Sequence, residues 1–126
     1  LTVSDIYRFE GPGHLDFGGS EFRDAEIEPI ETELQHEDDD YGWWTLDPGT
    51  YLIQYNETVR PESEELALVA PLERLECAGA SHDSLWVDTS NEPLEVQMTV
   101  GSGGIHLKEN FRASRLQIWS KHGDLA

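Results

Sequence analysis

Apolar and polar residues alternate most regularly in LEVQMTV, residues 94–100. Its apolar side chains would all point to one side of an extended chain, which is typical of a half-buried β-strand. The same reasoning predicts further short strands at 50–59, 65–71, 84–88, 104–109 and 114–120. Turn sequences such as LDPG, RPES, SNEP and GSGG separate these segments, and none of them has a helical period. The pattern therefore predicts an all-β sandwich or barrel with little helix.

The first 42 residues are less regular than the rest. Glycines and a proline impose turns in GPGHLDFGG (11–19), and EFRDAEIEPI (21–30) offers at most one edge strand. Residues 31–41 carry few apolar side chains and include four consecutive acids, which predicts a mobile, solvated connection. A metal site built from His36 and the aspartates at 38–40 is an alternative, although the spacing of a calcium loop is missing.

The length of 126 residues suits one domain, here 1–126, with residues 43–120 as its regular part. The chain has 26 acidic and 8 basic side chains, a formal net charge of -18. This excludes a general nucleic-acid binder, which needs a basic face. Concentrated salt would screen the repulsion among so many acids, so the composition favours a halophilic protein over an acidic mesophilic one.

Other features of the composition narrow the class of protein. Cys77 is the single cysteine, which excludes an internal disulfide and a clustered-cysteine metal site. No apolar run approaches the roughly 20 residues of a membrane span, and the first residues do not resemble a signal peptide. We therefore expect a cytoplasmic protein that does not contact a membrane.

Few residues suggest catalysis by themselves. Ser81, His82 and Asp83 are adjacent and cannot face one another as a catalytic triad does, and the histidines lack the spacing of known metal centres. The triplet 56–58 fits a glycosylation acceptor, which is common by chance. Asp88 ends the predicted strand SLWVD just before a turn, where it could act as a general base or bind the backbone of the turn.

The segments between residues 44 and 119 follow a specific order. LDPGTYLIQYNETVRPE combines a proline-glycine turn, a long strand and an acidic stretch with a proline, and LALVAPLERLECAG then runs from a strand into a charged corner. LWVD, LEVQMTV and SRLQIW follow. In this order they resemble the dUTPase and dCTP deaminase superfamily, in which a strand leads to an arginine-serine motif, a later strand ends in aspartate and the last motif carries a glutamine.

The resemblance implies a dUTPase-like distorted β-barrel that assembles as a homotrimer, with active sites at the subunit interfaces. In the dUTPase branch an aspartate activates water for attack on the α-phosphorus of dUTP while Mg²⁺ holds the triphosphate, and in the deaminase branch a glutamate acts on the cytosine ring. Asp88 matches the aspartate and Gln117 the glutamine. The candidates for phosphate binding are Arg74 together with Arg112 or Arg115.

The chain also departs from the family pattern. Leu72, Glu73 and Arg74 occupy the place of the arginine-serine motif, so a carboxylate lies where a triphosphate would bind. The turn at 89–93 lacks the expected aromatic residue and glycine, and Met98 occupies the position of the deaminase glutamate.

These departures favour a divergent member linked to deoxynucleotide metabolism, which binds a nucleotide or a partner with weak or no catalysis. Two alternatives stay open. One is an active, Mg²⁺-dependent nucleotide hydrolase in which Asp88 is the general base. Its substrate would be dUTP or dCTP. The other is a β-barrel interaction module without nucleotide function.

Overall fold

A computed structural model of the chain describes residues 1–88 and 93–121. The described part contains ten strands and one short helix, which confirms the all-β prediction. The elements are β1 (Val3–Phe9), β2 (Ile27–Pro29), β3 (Trp43–Leu46), β4 (Gly49–Tyr55), β5 (Glu65–Pro71), α1 (Glu73–Ala78), β6 (Ala80–His82), β7 (Leu85–Val87), β8 (Glu95–Val100), β9 (Ile105–Lys108) and β10 (Ser114–Ser120).

The strands form three antiparallel sheets. One sheet has the order β2-β1-β4-β8-β6, the second β10-β5-β7, and the third pairs β3 with β9. None of the three sheets closes on itself within residues 1–88 and 93–121. No helix in that part of the chain has the length and apolar character that a membrane span requires.

The core lies where the alternating strands point inward. On β8, the even-numbered residues from Val96 to Val100 are buried and the odd-numbered ones exposed, and Leu94 just before the strand is buried as well. Met98 lies opposite Tyr51 of β4, and Val96 lies opposite Ile53. The predicted inward face of 94–100 is therefore confirmed.

The N-terminal region is more regular than predicted. β1 lies between β2 and β4 inside the five-stranded sheet, whereas the sequence suggested loops and at most one edge strand. The register of β1 against β4 shifts between Val3 and Asp5, and as a result Val3 and Ile6 are both buried although they are three residues apart. A β-bulge breaks the two-residue period in this way, so alternation could not reveal the strand.

Residues 31–41 are mainly exposed, as expected, but their ends are attached to the sheets. Glu33 and Trp43 exchange two backbone hydrogen bonds. The carboxylate of Glu109 accepts hydrogen bonds from the Thr32 hydroxyl at 3.2 Å and from the Gly42 backbone N–H at 2.5 Å. The Thr32 side chain also occupies the space that a Cβ on Gly42 would need. The acidic stretch is therefore a loop fixed at both ends.

The charged corner after β5 forms α1, which the sequence pattern did not predict. The helix begins after Leu72, buries Leu75 and ends at Gly79, whose φ of 111° is left-handed. Six residues are too few for a helical period to be visible, although a glycine that ends a helix in this conformation is a familiar signal. The corner points Arg74 and Cys77 to solvent.

Candidate functional site

Two of the predicted phosphate-binding residues lie together. Arg74 on α1 and Arg112, two residues before β10, line one cleft of about 530 Å³ together with Leu72 and Glu73. The backbone N–H of Leu72 donates to the carbonyl of Ala113 at 2.9 Å, which joins the two sides of the cleft. Two guanidinium groups are well suited to an oxyanion, because each presents several donors and a permanent charge.

Glu73 is the third charged group at this cleft. Its carboxylate would repel a phosphate and compete with it for the two guanidinium groups, so it lowers the attraction that Arg74 and Arg112 can provide. Glu73 is exposed, and water and salt therefore weaken this repulsion. The cleft is therefore better suited to binding a phosphate than to activating that phosphate for reaction.

Asp88 lies far from the two arginines in the same chain. Val87 pairs with Ala67, which places Asp88 directly after β7 and beside the beginning of β5. Ser114 pairs with Pro71, so the arginine cleft lies beyond the end of β5. A strand of this length spans about 20 Å. One chain therefore does not bring its candidate base to its candidate phosphate site.

Arg115 and Gln117 occupy a third location, the outer face of the β10-β5-β7 sheet. Leu68 lies opposite both Gln117 and Trp86, so these side chains share that face. Trp86 and Trp119 meet there edge to face, with ring centroids 6.5 Å apart, and each is more than half exposed. The arginine beside Arg74 is therefore Arg112, and Arg115 lies on a partly aromatic sheet face instead.

Two other predicted features have different outcomes. Met98, at the position of the deaminase glutamate, is completely buried in the core and cannot contact a ligand. The turn at 89–92, where an aromatic residue and a glycine were expected, lies outside the described residues.

A chain of buried polar side chains connects β4, β10 and β6, and no sequence pattern indicated it. The Ser114 hydroxyl lies 2.5 Å from the Tyr55 hydroxyl and 2.7 Å from Nε2 of His82. Nδ1 of His82 lies 2.8 Å from the carbonyl of Asp83 and must donate to it. In the neutral imidazole Nε2 then accepts from Ser114, which leaves Tyr55 as the donor to Ser114.

Burial raises the pKa of Tyr55 to about 12. Tyr55 therefore keeps its proton at neutral pH, as this direction of donation requires. Ser81 is not part of the chain, since its hydroxyl donates to Glu76 at 3.4 Å. The adjacent residues 81–83 do not form a catalytic triad.

A larger cleft of about 680 Å³ lies between the N-terminal loop and the solvent-facing side of β4 and β8. Its apolar lining includes Phe9, Phe22 and Leu52, and Arg23 and Glu95 contribute charge. None of the predicted site residues reaches it. The turn-rich segment 11–26 did not suggest a cleft, because its apolar residues are scattered among glycines and acids.

A resident metal site is not formed by the described side chains. Within residues 1–88 and 93–121, no group of three or more His, Cys, Asp or Glu side chains could hold a metal ion. The alternative of a metal at His36 and residues 38–40 is therefore not supported. Instead, the Asp39 carboxylate accepts a hydrogen bond from the His36 backbone N–H at 2.9 Å.

Comparison with known proteins identifies relatives of this chain. No protein-family model matches the chain. The chain is 30% identical, over 127 aligned positions, to a probable deoxyuridine 5'-triphosphate nucleotidohydrolase of Methanosarcina acetivorans, and the match covers 99% of the chain and 71% of the relative. Proteins of the same description from Methanococcoides burtonii and Methanosarcina mazei are each 28% identical to this chain. These matches cover 99% and 95% of the chain, and 71% and 68% of the relatives.

Proposed function

Because the chain belongs to the deoxyuridine 5'-triphosphate nucleotidohydrolase (dUTPase) family, we propose that it binds a deoxynucleoside triphosphate, with weak or no catalysis. The observation that carries the proposal is the cleft that Arg74 and Arg112 line together. Two arginines can hold the phosphates, and Glu73 in the same cleft limits how strongly they do so. The role of the protein would then lie in deoxynucleotide metabolism.

The distance between Asp88 and the two arginines suggests that copies of the chain associate to complete a site. A site that uses both needs Asp88 from one copy and the arginines from another, because they lie at opposite ends of β5. We therefore propose a homotrimer, which has identical contacts between successive copies around a closed ring. Light scattering in molar KCl should give three chain masses, and a monomer would contradict a shared site.

Active dUTP hydrolysis is the second candidate, since Asp88 lies exposed at the end of β7. Asp88 would take a proton from water as the water oxygen bonds to the α-phosphorus and pyrophosphate leaves. Any Mg²⁺ would be held chiefly by the triphosphate itself. Arg74 and Arg112 would orient the phosphates.

Binding and turnover can be tested with dUTP and dCTP in molar KCl with Mg²⁺. We expect dUTP to raise the melting temperature, since a ligand that binds only the native state stabilises it. Arg112→Gln should weaken binding by about 10-fold or more, because it removes a charge-assisted hydrogen bond. Arg8→Gln is the matched control, since Arg8 is exposed on β1, where it forms an ion pair with Glu10 at 3.9 Å, and it does not line the cleft.

Release of pyrophosphate or ammonia distinguishes the two candidates. Turnover that falls at least about 100-fold in Asp88→Asn would establish the hydrolase and overturn weak catalysis. Stabilisation without turnover would support the binding protein. If neither nucleotide changes the melting temperature, the interaction module without nucleotide function becomes the better explanation.

A further inference from the structure

The backbone around Arg112 is held at both ends. We define the arginine segment as residues 110–114, which lead from β9 into β10. At its beginning, Asn110 has a left-handed φ of 63° and its backbone N–H donates to the carbonyl of Val3 at 3.1 Å. At its end, the N–H of Ala113 donates to the carbonyl of Leu1 at 3.0 Å. Arg112 lies between these fixed points.

Side chains from the end of β4 hold the same two points. Tyr55 donates to the hydroxyl of Ser114, which in turn donates to His82. The next residue, Asn56, donates through Nδ2 to Oδ1 of Asn110 at 2.8 Å. The last residue of β4 and the residue that follows it therefore bind opposite ends of the arginine segment.

The outer of these two contacts is part of a small exposed network. Nδ2 of Asn56 also lies 3.0 Å from the Thr2 hydroxyl, and that hydroxyl donates to the carboxylate of Glu57 at 2.7 Å. The Thr2 backbone N–H donates to the same carboxylate at 2.8 Å. Asn56, which the sequence marked as a glycosylation acceptor, thus already uses its amide within the chain.

We propose that Tyr55 and Asn56 are positioning residues for Arg112. They fix the arginine segment from both ends, so the guanidinium group is directed to the cleft at a small entropic cost when an anion binds. The hydrogen bond from Leu72 to Ala113 extends the same support to the corner that carries Arg74. This inference rests on the proposed function, because it assigns the residues a purpose at that phosphate site.

Inorganic triphosphate and amide hydrogen exchange provide two independent measurements in molar KCl. Tyr55→Phe and Asn56→Ala should each weaken triphosphate binding about fivefold and speed exchange of the Ala113 amide by a similar factor, the effect of losing one typical hydrogen bond. Tyr51→Phe is the matched control. Tyr51 is also buried on β4, and its hydroxyl donates to the carbonyl of Asp47 at 2.7 Å, away from the segment.

The control should lower the melting temperature without changing triphosphate affinity or exchange at Ala113. The inference is overturned if the three variants behave alike while the wild-type protein binds triphosphate. Failure of the proposed function looks different, because the wild-type protein would then not bind triphosphate although Tyr55→Phe still accelerated exchange at Ala113.

Discussion

The buried hydroxyl of Tyr55 makes the stability of the fold depend on pH at alkaline values. Its donation to Ser114 requires the protonated phenol, and burial makes the phenolate costly. The pKa is therefore raised from 10.0 to about 12 in the folded protein. The folded state favours the protonated form, so the contribution of Tyr55 to stability is complete below the unfolded pKa and disappears as the pH rises through the folded one.

We expect an alkaline loss of stability that depends on this residue. Between about pH 10 and pH 12 the wild-type protein should lose roughly 2–3 kcal/mol of unfolding free energy that Tyr55→Phe does not lose. Urea unfolding of both proteins across this range measures the difference, with Tyr51→Phe as a variant that keeps Tyr55. Parallel curves for the wild type and Tyr55→Phe would show that the hydroxyl is not buried as described.

Residue type and motif order propose candidate residues, but they do not predict how those residues are arranged. Arg74 and Arg112 could be proposed from residue type and motif order, and they line one cleft. The separation of Asp88 from them depends on strand pairing and could not be read from spacing. The partners in the polar chain are 59 and 32 residues apart in sequence, so no local pattern indicates that Ser114 bonds to Tyr55 and His82.

At the scale of elements, β5 and β10 have the predicted bounds, and β7, β8 and β9 lie within their predicted segments. These strands alternate or have turn residues at their ends, which are local signals. β4 ends at Tyr55 rather than at residue 59, and β3 and β6 are short strands that were not predicted. The bulge in β1 breaks the two-residue period of a strand, and α1 is too short to show a helical period. Neither element could therefore be predicted from the pattern of apolar residues.

At the scale of the whole molecule, the acids within residues 1–88 and 93–121 lie at or near the surface. The buried polar residues of the described part are His82 and Ser114, so no acid there is buried. The net charge of -18 therefore acts mainly as repulsion between solvated carboxylates, which dissolved ions can screen. This distribution fits the halophilic character that the composition suggests.

Stability should therefore increase with KCl concentration. Between about 0.1 M and 2 M the screening length falls from about 10 Å to less than about 3 Å, and a gain of about 1–2 kcal/mol would raise the melting temperature by roughly 5–10 °C. Replacing Glu37, Asp38 and Asp40 by their amides should reduce this dependence, because all three carboxylates are exposed. An unchanged melting temperature across the salt range would contradict the electrostatic explanation.

The neighbouring positions of Tyr55 and Asn56 also constrain how this chain can evolve. Successive residues point to opposite sides of an extended chain, so the phenol reaches into the core and the amide toward the surface. An insertion or deletion of one residue in β4 would exchange them, placing an amide in the core and a ring in solvent. Loss of the Ser114 hydroxyl would leave both Tyr55 and His82 without their buried partner, whereas loss of the Tyr55 hydroxyl keeps the bond between Ser114 and His82. Position 114 should therefore accept substitutions less readily than position 55.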